Sequence, residues 1–564
     1  MIDLKSAPFN LSESDILWVQ STLEKMTIDE KIGQLFMPVG LSSDKAELRH
    51  TIETWKPAGM MFRPGKSTEV QDVHRFLQQC SNIPLLIASN LESGGTGSAV
   101  DGTEFGCQMQ IAATGNIEQA AHLARVTATE GQALGVNWSF SPVVDIDLNP
   151  HNPITNVRTF GSDSHTVARF SARYIQQMNL SGMATAAKHF PGDGVDSRDQ
   201  HIVMTQNSLS CEAWDNSYGK VWRAVIEAGT MAIMAGHISL PAYARAFAAD
   251  PALPASLSGA LLQNLLREKL GFNGLIVTDA TAMVGFTTAM PRAKAVPAAI
   301  AAGCDIFLFN KDLQEDFHFM RQGIETGALS LTRVDEAVTR TLAMKASLGL
   351  HRLPASQRVP EPVALEVIGA AAHHELAAEC ARQAVTLVKD EAGLLPLSPI
   401  THPRVLLFTL TDDGDFFGHK TDVFTGAIDG LRERGFVIDR FDPSQFTMRD
   451  MKLSIGNMVE KYDLALYLAN IKPASNKTSL RINWTRPMGI DAPWFSCELP
   501  TLFISFGNPY HLFDVPKIPT YINAYTASPA TITATIDRLL GHAAFTGTSP
   551  VDALIGQPPG TVCP

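Results

Sequence analysis

A strand–helix pattern that occurs eight times in the first 350 residues most constrains the fold. Such alternation is typical of parallel strands joined by helical crossovers. Eight units in this length predict a TIM-type (β/α)8 barrel, with a doubly wound open sheet as the alternative. The apolar runs are IGQLFMPVG from Ile32, AGMMFRPG from Ala58, PLLIASN from Pro84, VNWSFSPVVDID from Val136, ATAAKHFPG from Ala184, AIMAGHISLP from Ala232, GLIVTDA from Gly274 and DIFLFN from Asp305.

A second α/β pattern follows the barrel. A helix over 331–350, with Thr332 as its expected N-cap, closes the barrel. The proline-rich segment LHRLPASQRVPEPVALEV stiffens the chain and predicts an inter-domain linker. Strand-like runs then begin at Arg404, Leu464, Thr501 and Thr520 and predict an open three-layer α/β sandwich. The predicted domains are a barrel over 1–350, a linker over 351–366 and a sandwich over 367–564.

Charge and composition exclude several classes of protein. Lys and Arg number 45 and Asp and Glu number 57, so the net charge of −12 argues against a general nucleic-acid binder. No run of about 18 apolar residues occurs, so no membrane span is expected. The first residues lack the basic and apolar regions of a signal peptide, which predicts a cytoplasmic protein. Seven scattered cysteines without a CxxC pair argue against a disulfide framework or a zinc site.

Polar residues follow the predicted strands, where barrel enzymes place their chemistry. The fifth run ends in Lys188 and His189, and then reads FPGDG. Adjacent strand residues point to opposite faces unless the backbone is distorted, and proline and glycine favour distortion here. A surface lysine and a hydrogen-bonded histidine in a capped loop are the simpler interpretation. Because GxxxxGK[ST] is missing, the GDG segment predicts no nucleotide cofactor.

The loop VDSRDQHIVMT places Asp199 two residues before His201. An aspartate can accept the ring N–H of a histidine, fix its tautomer and favour the imidazolium. Such a dyad can act as general acid and then as general base near neutral pH. A metal site made of Asp193, Asp196, Asp199 and His201 is the alternative. The strand or helix placement of metal motifs is missing from this loop, so no metal is predicted.

Three further strand ends carry polar candidates. Asp279 follows the apolar run GLIVT, where a carboxylate either caps the next helix or serves as a nucleophile. Arg158 lies in the loop after the fourth run, and its guanidinium suits sugar hydroxyls or carboxylates. Asn90 ends the third run. The sequence therefore offers polar groups at several strand ends of one predicted barrel.

Together these segments resemble glycoside hydrolase family 3, and within it the bacterial β-N-acetylhexosaminidases. The resemblance runs in order over roughly residues 27–551. Its catalytic residues match three positions: Asp279 the nucleophile, His201 the loop acid/base, and Asp199 its partner in a D-x-H signature. The usual middle serine of that signature is Gln200 here. The segments are IASNLESGG, NPITNVRTFG, KHFPGDGVDSRDQH, PASLSGALLQNLLREKLGFNGLIVTDATAM and ARQAVTLVKDEAGLLPL.

The resemblance also implies sugar-binding residues. Lys188, His189 and Arg158 match residues that hold the hydroxyls of the non-reducing sugar. Asn90 stands where the family usually has an aspartate, which removes a charge and adds two donors. The GDG segment likewise replaces a commoner GHG.

The resemblance implies a retaining, exo-acting β-N-acetylhexosaminidase that removes terminal β-linked GlcNAc or GalNAc through a glycosyl-Asp279 intermediate. A phosphorylase that passes the sugar to phosphate is the first alternative, because a histidine base adds no negative charge near an anionic acceptor. A β-glucosidase-type exo-glycosidase is the second alternative, if Asn90 changes the sugar specificity. A non-catalytic sugar-binding protein is the third alternative, and Asp279 and His201 argue against it. The expected partner is an oligosaccharide or a peptidoglycan fragment, without cofactor, nucleic acid or membrane.

Overall fold

A computed structural model of the chain describes residues 2–391, 393–411, 422–442, 454–484 and 486–556. The chain forms two compact units. The first comprises Met1–Phe105, Ala120–Asn152 and Ser164–His374, and the second comprises Gly106–Gln119, Pro153–Asp163 and Glu375–Pro564. Two short segments from the N-terminal part of the chain thus belong to the second unit.

Short, buried strands form the centre of the first unit. They are β1 (Phe36–Met37), β2 (Val39–Gly40), β3 (Gly59–Phe62), β4 (Leu86–Ser89), β5 (Trp138–Ser139), β6 (Ala184–Phe190), β7 (Thr205–Gln206), β8 (Ala232–Ala235), β9 (Ile238–Ser239), β10 (Leu275–Thr278) and β11 (Phe307–Leu308). Each of the eight predicted runs contains one or two of them. The strands β7 and β9 form a separate parallel pair.

The remaining strands form a parallel ring. Seven lie side by side in the order β10-β8-β6-β5-β4-β3-β2. The other two, β1 and β11, pair with each other, and β1 is separated from β2 only by Pro38. A bridge between Val277 and Ile306 joins β10 to the segment that leads into β11. The carboxyl ends of all these strands therefore meet at one end of the ring.

Helices connect the strands, and six of those in the described residues have a side-chain N-cap. The N-caps Ser12 and Thr27 form capping boxes at the first two helices. The predicted cap Thr332 is wrong by two positions, because the hydroxyl of Ser330 accepts the N–H of Arg333 and starts the last helix of this group. The helices are α1 (Glu13–Lys25), α2 (Ile28–Gly33), α3 (Lys45–Trp55), α4 (Ser67–Cys80), α5 (Gln108–Ala113, in the second unit), α6 (Glu118–Ala133), α7 (Ser164–Leu180), α8 (Cys211–Asn216), α9 (Tyr218–Glu227), α10 (Pro241–Ala246), α11 (Val284–Thr287), α12 (Arg292–Ala302), α13 (Leu313–Glu325) and α14 (Leu331–Ser347), with a π-helix at Ala260–Lys269.

The second unit is built on a six-stranded sheet. Its strands are β12 (Thr386–Asp390), β13 (Arg404–Thr411), β14 (Val437–Arg440), β15 (Leu464–Asn470), β16 (Thr501–Ser505) and β17 (Thr520–Asn523). Its further helices are α15 (Ala371–Ala384), which begins in the first unit, α16 (Thr425–Glu433), α17 (Ile455–Lys461) and α18 (Pro529–Leu539). The sheet order is β12-β17-β16-β15-β13-β14, and only the edge strand β12 runs antiparallel to its neighbour.

Both faces of this sheet are covered, as the alternation along β13 demonstrates. Val405 and Leu407 join a core with residues of α15, α16 and α18. Leu406 and Phe408 point to the opposite face and pack in a second core with Met458 of α17. The unit is therefore an open three-layer α/β sandwich. The predicted fold class, an α/β barrel followed by an α/β sandwich, is confirmed.

The cysteines depart from expectation at one position. Cys497 is disulfide-bonded, which the scattered cysteine spacing did not predict because bonding depends on spatial approach rather than spacing. Cys563 lies outside the described residues. Across the described ranges, no helix is long and apolar enough to cross a membrane, and no cluster of His, Cys, Asp and Glu is placed to hold a metal. Cys80, Cys107, Cys211, Cys304 and Cys380 form no disulfide bond.

Candidate active site

Asp279 lies at the carboxyl end of β10, where its N–H donates to Ala235 of β8 at 2.8 Å. It does not cap the next helix, because the N-cap of α11 is Met283. Its Oδ1 accepts the N–H of Ala280 at 2.7 Å. Its Oδ2 is buried and has no hydrogen-bond partner in the described part of the chain. This oxygen lies 3.9 Å from Nε2 of His189.

The surroundings of Asp279 favour its ionised form. Burial raises the pKa of the carboxyl group, but nearby groups, chiefly His189 and also the N–H of Ala280, outweigh burial and hold the pKa below its usual value. The group is therefore a carboxylate at neutral pH. An ionised, desolvated carboxylate is the form that a nucleophile requires.

A short hydrogen-bond chain fixes the backbone beside this carboxylate. Burial lowers the pKa of His237, so the ring is neutral. Its Nε2–H donates to the carbonyl of Ala280 at 3.1 Å, which leaves Nδ1 to accept the hydroxyl of Ser256 at 2.9 Å. The peptide that follows the nucleophile is held in place through this neutral histidine.

His189 is held by a buried carboxylate. The pairing of β6 with β8 shifts register between Lys188 and Phe190, which is the backbone distortion expected from the sequence. The Nδ1–H of His189 donates to Asp145 at 2.7 Å, and its backbone N–H donates to the same carboxylate at 3.1 Å. These two bonds orient the ring so that Nε2 faces Asp279.

Lys188 joins the ends of two strands. Its ammonium group is almost fully buried and lies 2.7 Å from the carboxylate of Glu92. It also donates to Oδ1 of Asn90 at 3.3 Å. Since Oδ1 of Asn90 accepts from the lysine, its amide group remains as a donor. The carboxylate that balances the lysine thus comes from Glu92, two residues beyond the position where the family usually has an aspartate.

His201 and Asp199 form the predicted dyad. The Nδ1–H of His201 donates to Asp199 at 2.6 Å, and the backbone N–H of His201 donates to the same oxygen at 2.9 Å. Asp199 is fully buried, whereas about a quarter of the histidine side chain is exposed. The loop lies against the start of α11, because Val284 donates its N–H to the His201 carbonyl at 3.0 Å. The dyad is thereby held close to the segment that follows Asp279.

Asp193, the middle residue of GDG, is buried and its backbone is hydrogen-bonded to Asp145. The backbone N–H of Asp193 donates to Asp145 at 2.7 Å. Its Oδ1 accepts from Gly194 at 2.7 Å and from Asn152 at 3.0 Å. Its Oδ2 is buried without a hydrogen-bond partner in the described ranges. Burial and the charge of Asp145 raise the pKa of Asp193 to about 7.

Arg158 belongs to the second unit, on the one-turn helix Asn156–Arg158. Its guanidinium donates to the carbonyl of Ile154 at 3.0 Å. In the first unit, the geometry brings together Asp279 with His189, Asp199 with His201, and Lys188 with Asn90. The role of Arg158 in sugar binding stays a prediction.

Sequence reasoning missed several residues of this site. Asp145 lies near the end of the fourth apolar run, which is the same signal that identified Asp279. Glu92 and His237 lie within segments already singled out, IASNLESGG and AIMAGHISLP. Gln200 was noticed only as a departure from serine. Polar residues at the ends of buried strands would have pointed to Asp145 and His237.

The dyad makes a testable prediction. Asp199→Asn is expected to lower kcat/KM for a p-nitrophenyl β-glycoside about tenfold and to change the shape of its pH profile. The physical reason is that the protonated imidazole loses its ion pair, whereas the amide still accepts a hydrogen bond. The measurement is a pH profile from pH 5 to 9, with wild type as the reference. A profile with unchanged shape would refute the dyad.

Known proteins that are similar to this chain identify its family. The model of the glycosyl hydrolase family 3 N terminal domain matches residues 27–344. A β-N-acetylglucosaminidase/β-glucosidase from Cellulomonas fimi is 45% identical over 563 residues, which cover 99% of both chains. A solved structure of the β-glucoside phosphorylase BglX bound to 2FGlc has a TM-score of 0.94 at 41% identity, over 98% of this chain and 99% of that chain. The chain is therefore a glycosidase, and it belongs to glycosyl hydrolase family 3.

Proposed function

We propose that the chain is a retaining, exo-acting β-glycosidase that removes terminal β-linked GlcNAc and, as a second sugar, glucose. The observation that carries the proposal is the placement of two groups in one site. The unpartnered carboxylate oxygen of Asp279 stands at the end of β10, and the His201–Asp199 dyad is bonded to the segment that follows it. A nucleophile and a separate proton donor are what a retaining mechanism needs.

In the first step, Oδ2 of Asp279 attacks the anomeric carbon of the sugar. The bond between that carbon and the leaving oxygen breaks, and His201 gives the leaving oxygen its proton. Asp199 stabilises the imidazolium before the transfer and fixes its tautomer. His189 remains near Asp279 and keeps its carboxylate ionised, as its contribution to the lowered pKa of Asp279 indicates.

In the second step, His201 acts as the base. It takes a proton from water, the water oxygen attacks the anomeric carbon, and the bond to Asp279 breaks. The two displacements on the same carbon retain the β configuration of the product. A histidine replaces the second carboxylate of the usual pair, so the base is uncharged when the acceptor arrives.

Phosphorolysis is the second candidate, and two observations favour it. An uncharged base does not repel an anionic acceptor as a carboxylate would. The relative with a TM-score of 0.94 is named a β-glucoside phosphorylase. In this version phosphate attacks the glycosyl-Asp279 intermediate, and a sugar 1-phosphate is released.

The contacts among Lys188, Asn90 and Glu92 concern the specificity of the site for its sugar. Lys188 donates to Asn90, so the Asn90 amide presents donors to a sugar hydroxyl where an aspartate would accept. The Cellulomonas fimi relative carries the names of both a β-N-acetylglucosaminidase and a β-glucosidase. Both observations support a site that accepts either sugar. A small glycan fragment with terminal GlcNAc, from peptidoglycan or chitin, is the natural substrate we propose.

A substrate panel with and without phosphate tests the proposal. The panel consists of p-nitrophenyl β-GlcNAc, β-GalNAc and β-glucoside at constant ionic strength, with sulfate replacing phosphate in the control. We expect turnover of the β-GlcNAc and β-glucoside compounds, with free β-sugar as the first product detected by NMR. Sugar 1-phosphate as the main product, with a rate that rises with phosphate, would replace hydrolysis by phosphorolysis. A first product of α configuration would overturn the retaining mechanism itself.

A further inference from the structure

Gln200, which lies between the two residues of the dyad, is only 1% exposed. Its Oε1 accepts the N–H of His237, just beyond the end of β8, at 2.8 Å. Its backbone carbonyl accepts the N–H of Gly285 in α11 at 3.3 Å. Gln200 therefore connects the loop that carries His201 both to the segment after β8 and to α11.

Two glycines make this close approach feasible. A Cβ atom at Gly285 would lie 2.6 Å from the carbonyl oxygen of Gln200, which is too close for any other residue without movement. A Cβ atom at Gly236 would lie 3.2 Å from Oε1 of Gln200. The loop that carries His201 is thus packed against backbone, with little space to move toward β8 or α11.

The length of the glutamine side chain matters for the bond to His237. Its Oε1 lies three bonds beyond Cβ, whereas the hydroxyl of a serine lies one bond beyond it. A serine in the same backbone position would leave the buried N–H of His237 without this acceptor, at a free-energy cost. Gln200 therefore supplies a connection that a serine in this signature does not make.

We propose that Gln200 is a positioning residue that holds His201 where it protonates the leaving oxygen. The proposal rests on the proposed role of His201 as acid/base. In this role Gln200 acts through His201, by fixing the loop between His237 and Gly285. Its removal should therefore slow the reaction only when the leaving group needs a proton.

Two leaving groups separate this role from a general structural one. Phenolate is a poor leaving group and needs protonation, whereas 2,4-dinitrophenolate departs as the anion. Gln200→Met keeps the side-chain length and removes the acceptor. We expect kcat/KM to fall at least about tenfold for the phenyl β-glycoside and less than about twofold for the dinitrophenyl β-glycoside. The ratio of the two values is independent of how much of the variant is folded.

Gln206→Met is the matched control, because Gln206 carries the same side chain on β7 but is exposed. Its ratio is expected to equal that of wild type. His201→Ala tests the assignment of His201 as acid/base. It must change the ratio of kcat/KM between the phenyl and the dinitrophenyl β-glycosides at least as strongly as Gln200→Met. If His201→Ala leaves the ratio unchanged, the acid/base assignment is wrong. If only Gln200→Met leaves it unchanged, the positioning role is wrong and the acid/base role stands.

Discussion

Turnover of an aryl β-glycoside is expected to fall by at least about 10⁴-fold in Asp279→Ala, because the covalent intermediate can no longer form. Azide should restore part of the turnover of the 2,4-dinitrophenyl glycoside, since this small anion fits the space left by the carboxylate. Attack from that side would give the α-glycosyl azide. The measurements are initial rates with and without azide, and NMR of the product.

The control for this variant is Asp312→Ala. Asp312 follows the next barrel strand, β11, and accepts the N–H of Glu315 at 2.7 Å as the N-cap of α13. The Asp312→Ala variant also loses an aspartate carboxylate, at a neighbouring strand end. Its turnover should stay within about twofold of wild type, since surface and cap changes alter stability rather than chemistry. Residual activity above roughly a tenth in Asp279→Ala, or a β-glycosyl azide, would assign the nucleophile to another group.

Asp193→Asn is expected to stabilise the fold at pH 8 and to do so much less at pH 5. Burial and Asp145 raise the pKa of Asp193 from 3.8 to about 7, so the folded chain keeps a proton that the unfolded chain releases. The contribution of Asp193 to stability therefore falls as pH rises from about 4 to about 7 and is constant above that range. Asparagine resembles the protonated acid and removes this loss. The gain in the free energy of unfolding of Asp193→Asn over wild type should grow by roughly 2–3 kcal/mol between pH 5 and pH 8.

Apparent melting temperatures at the two pH values give the readout. Asp196→Asn is the control with the opposite sign. Burial raises the pKa of Asp196, but hydrogen bonds from Arg198 and Gln206 outweigh burial and lower it, so its carboxylate stabilises the fold at pH 8. That variant should melt at a lower temperature than wild type. An equal gain for Asp193→Asn at both pH values would show that Asp193 is ionised throughout.

The strand ends of the site could be predicted because buried parallel strands are continuous apolar runs, in which a terminal polar residue stands out. Asp279, Lys188 and His189 were found in this way. Which residues pair with them could not be predicted, since Asp145 meets His189 and Glu92 meets Lys188 only through the order of strands around the barrel. That order is a property of the tertiary fold.

Other long-range features of the fold could not be predicted from the sequence either. Two segments of the N-terminal part belong to the second unit, although their own pattern carries no sign of it. The disulfide at Cys497 had no signature in the cysteine spacing. The hydrogen bond from His237 to Gln200 joins positions that no short motif connects. Local patterns specified the elements, and long-range packing specified the contacts among them.

The early segments that belong to the second unit limit where this chain can be divided into separately expressed parts. Its packing includes Met109, Ala113 and Val157, which join Tyr510 and Tyr525 in one apolar cluster. A gene fragment that starts after the proline-rich stretch encodes the whole six-stranded sheet, yet it lacks these side chains. Such a fragment would expose the apolar surface that they cover. Separate expression, fusion or exchange of the C-terminal half therefore needs the two early segments to be supplied with it.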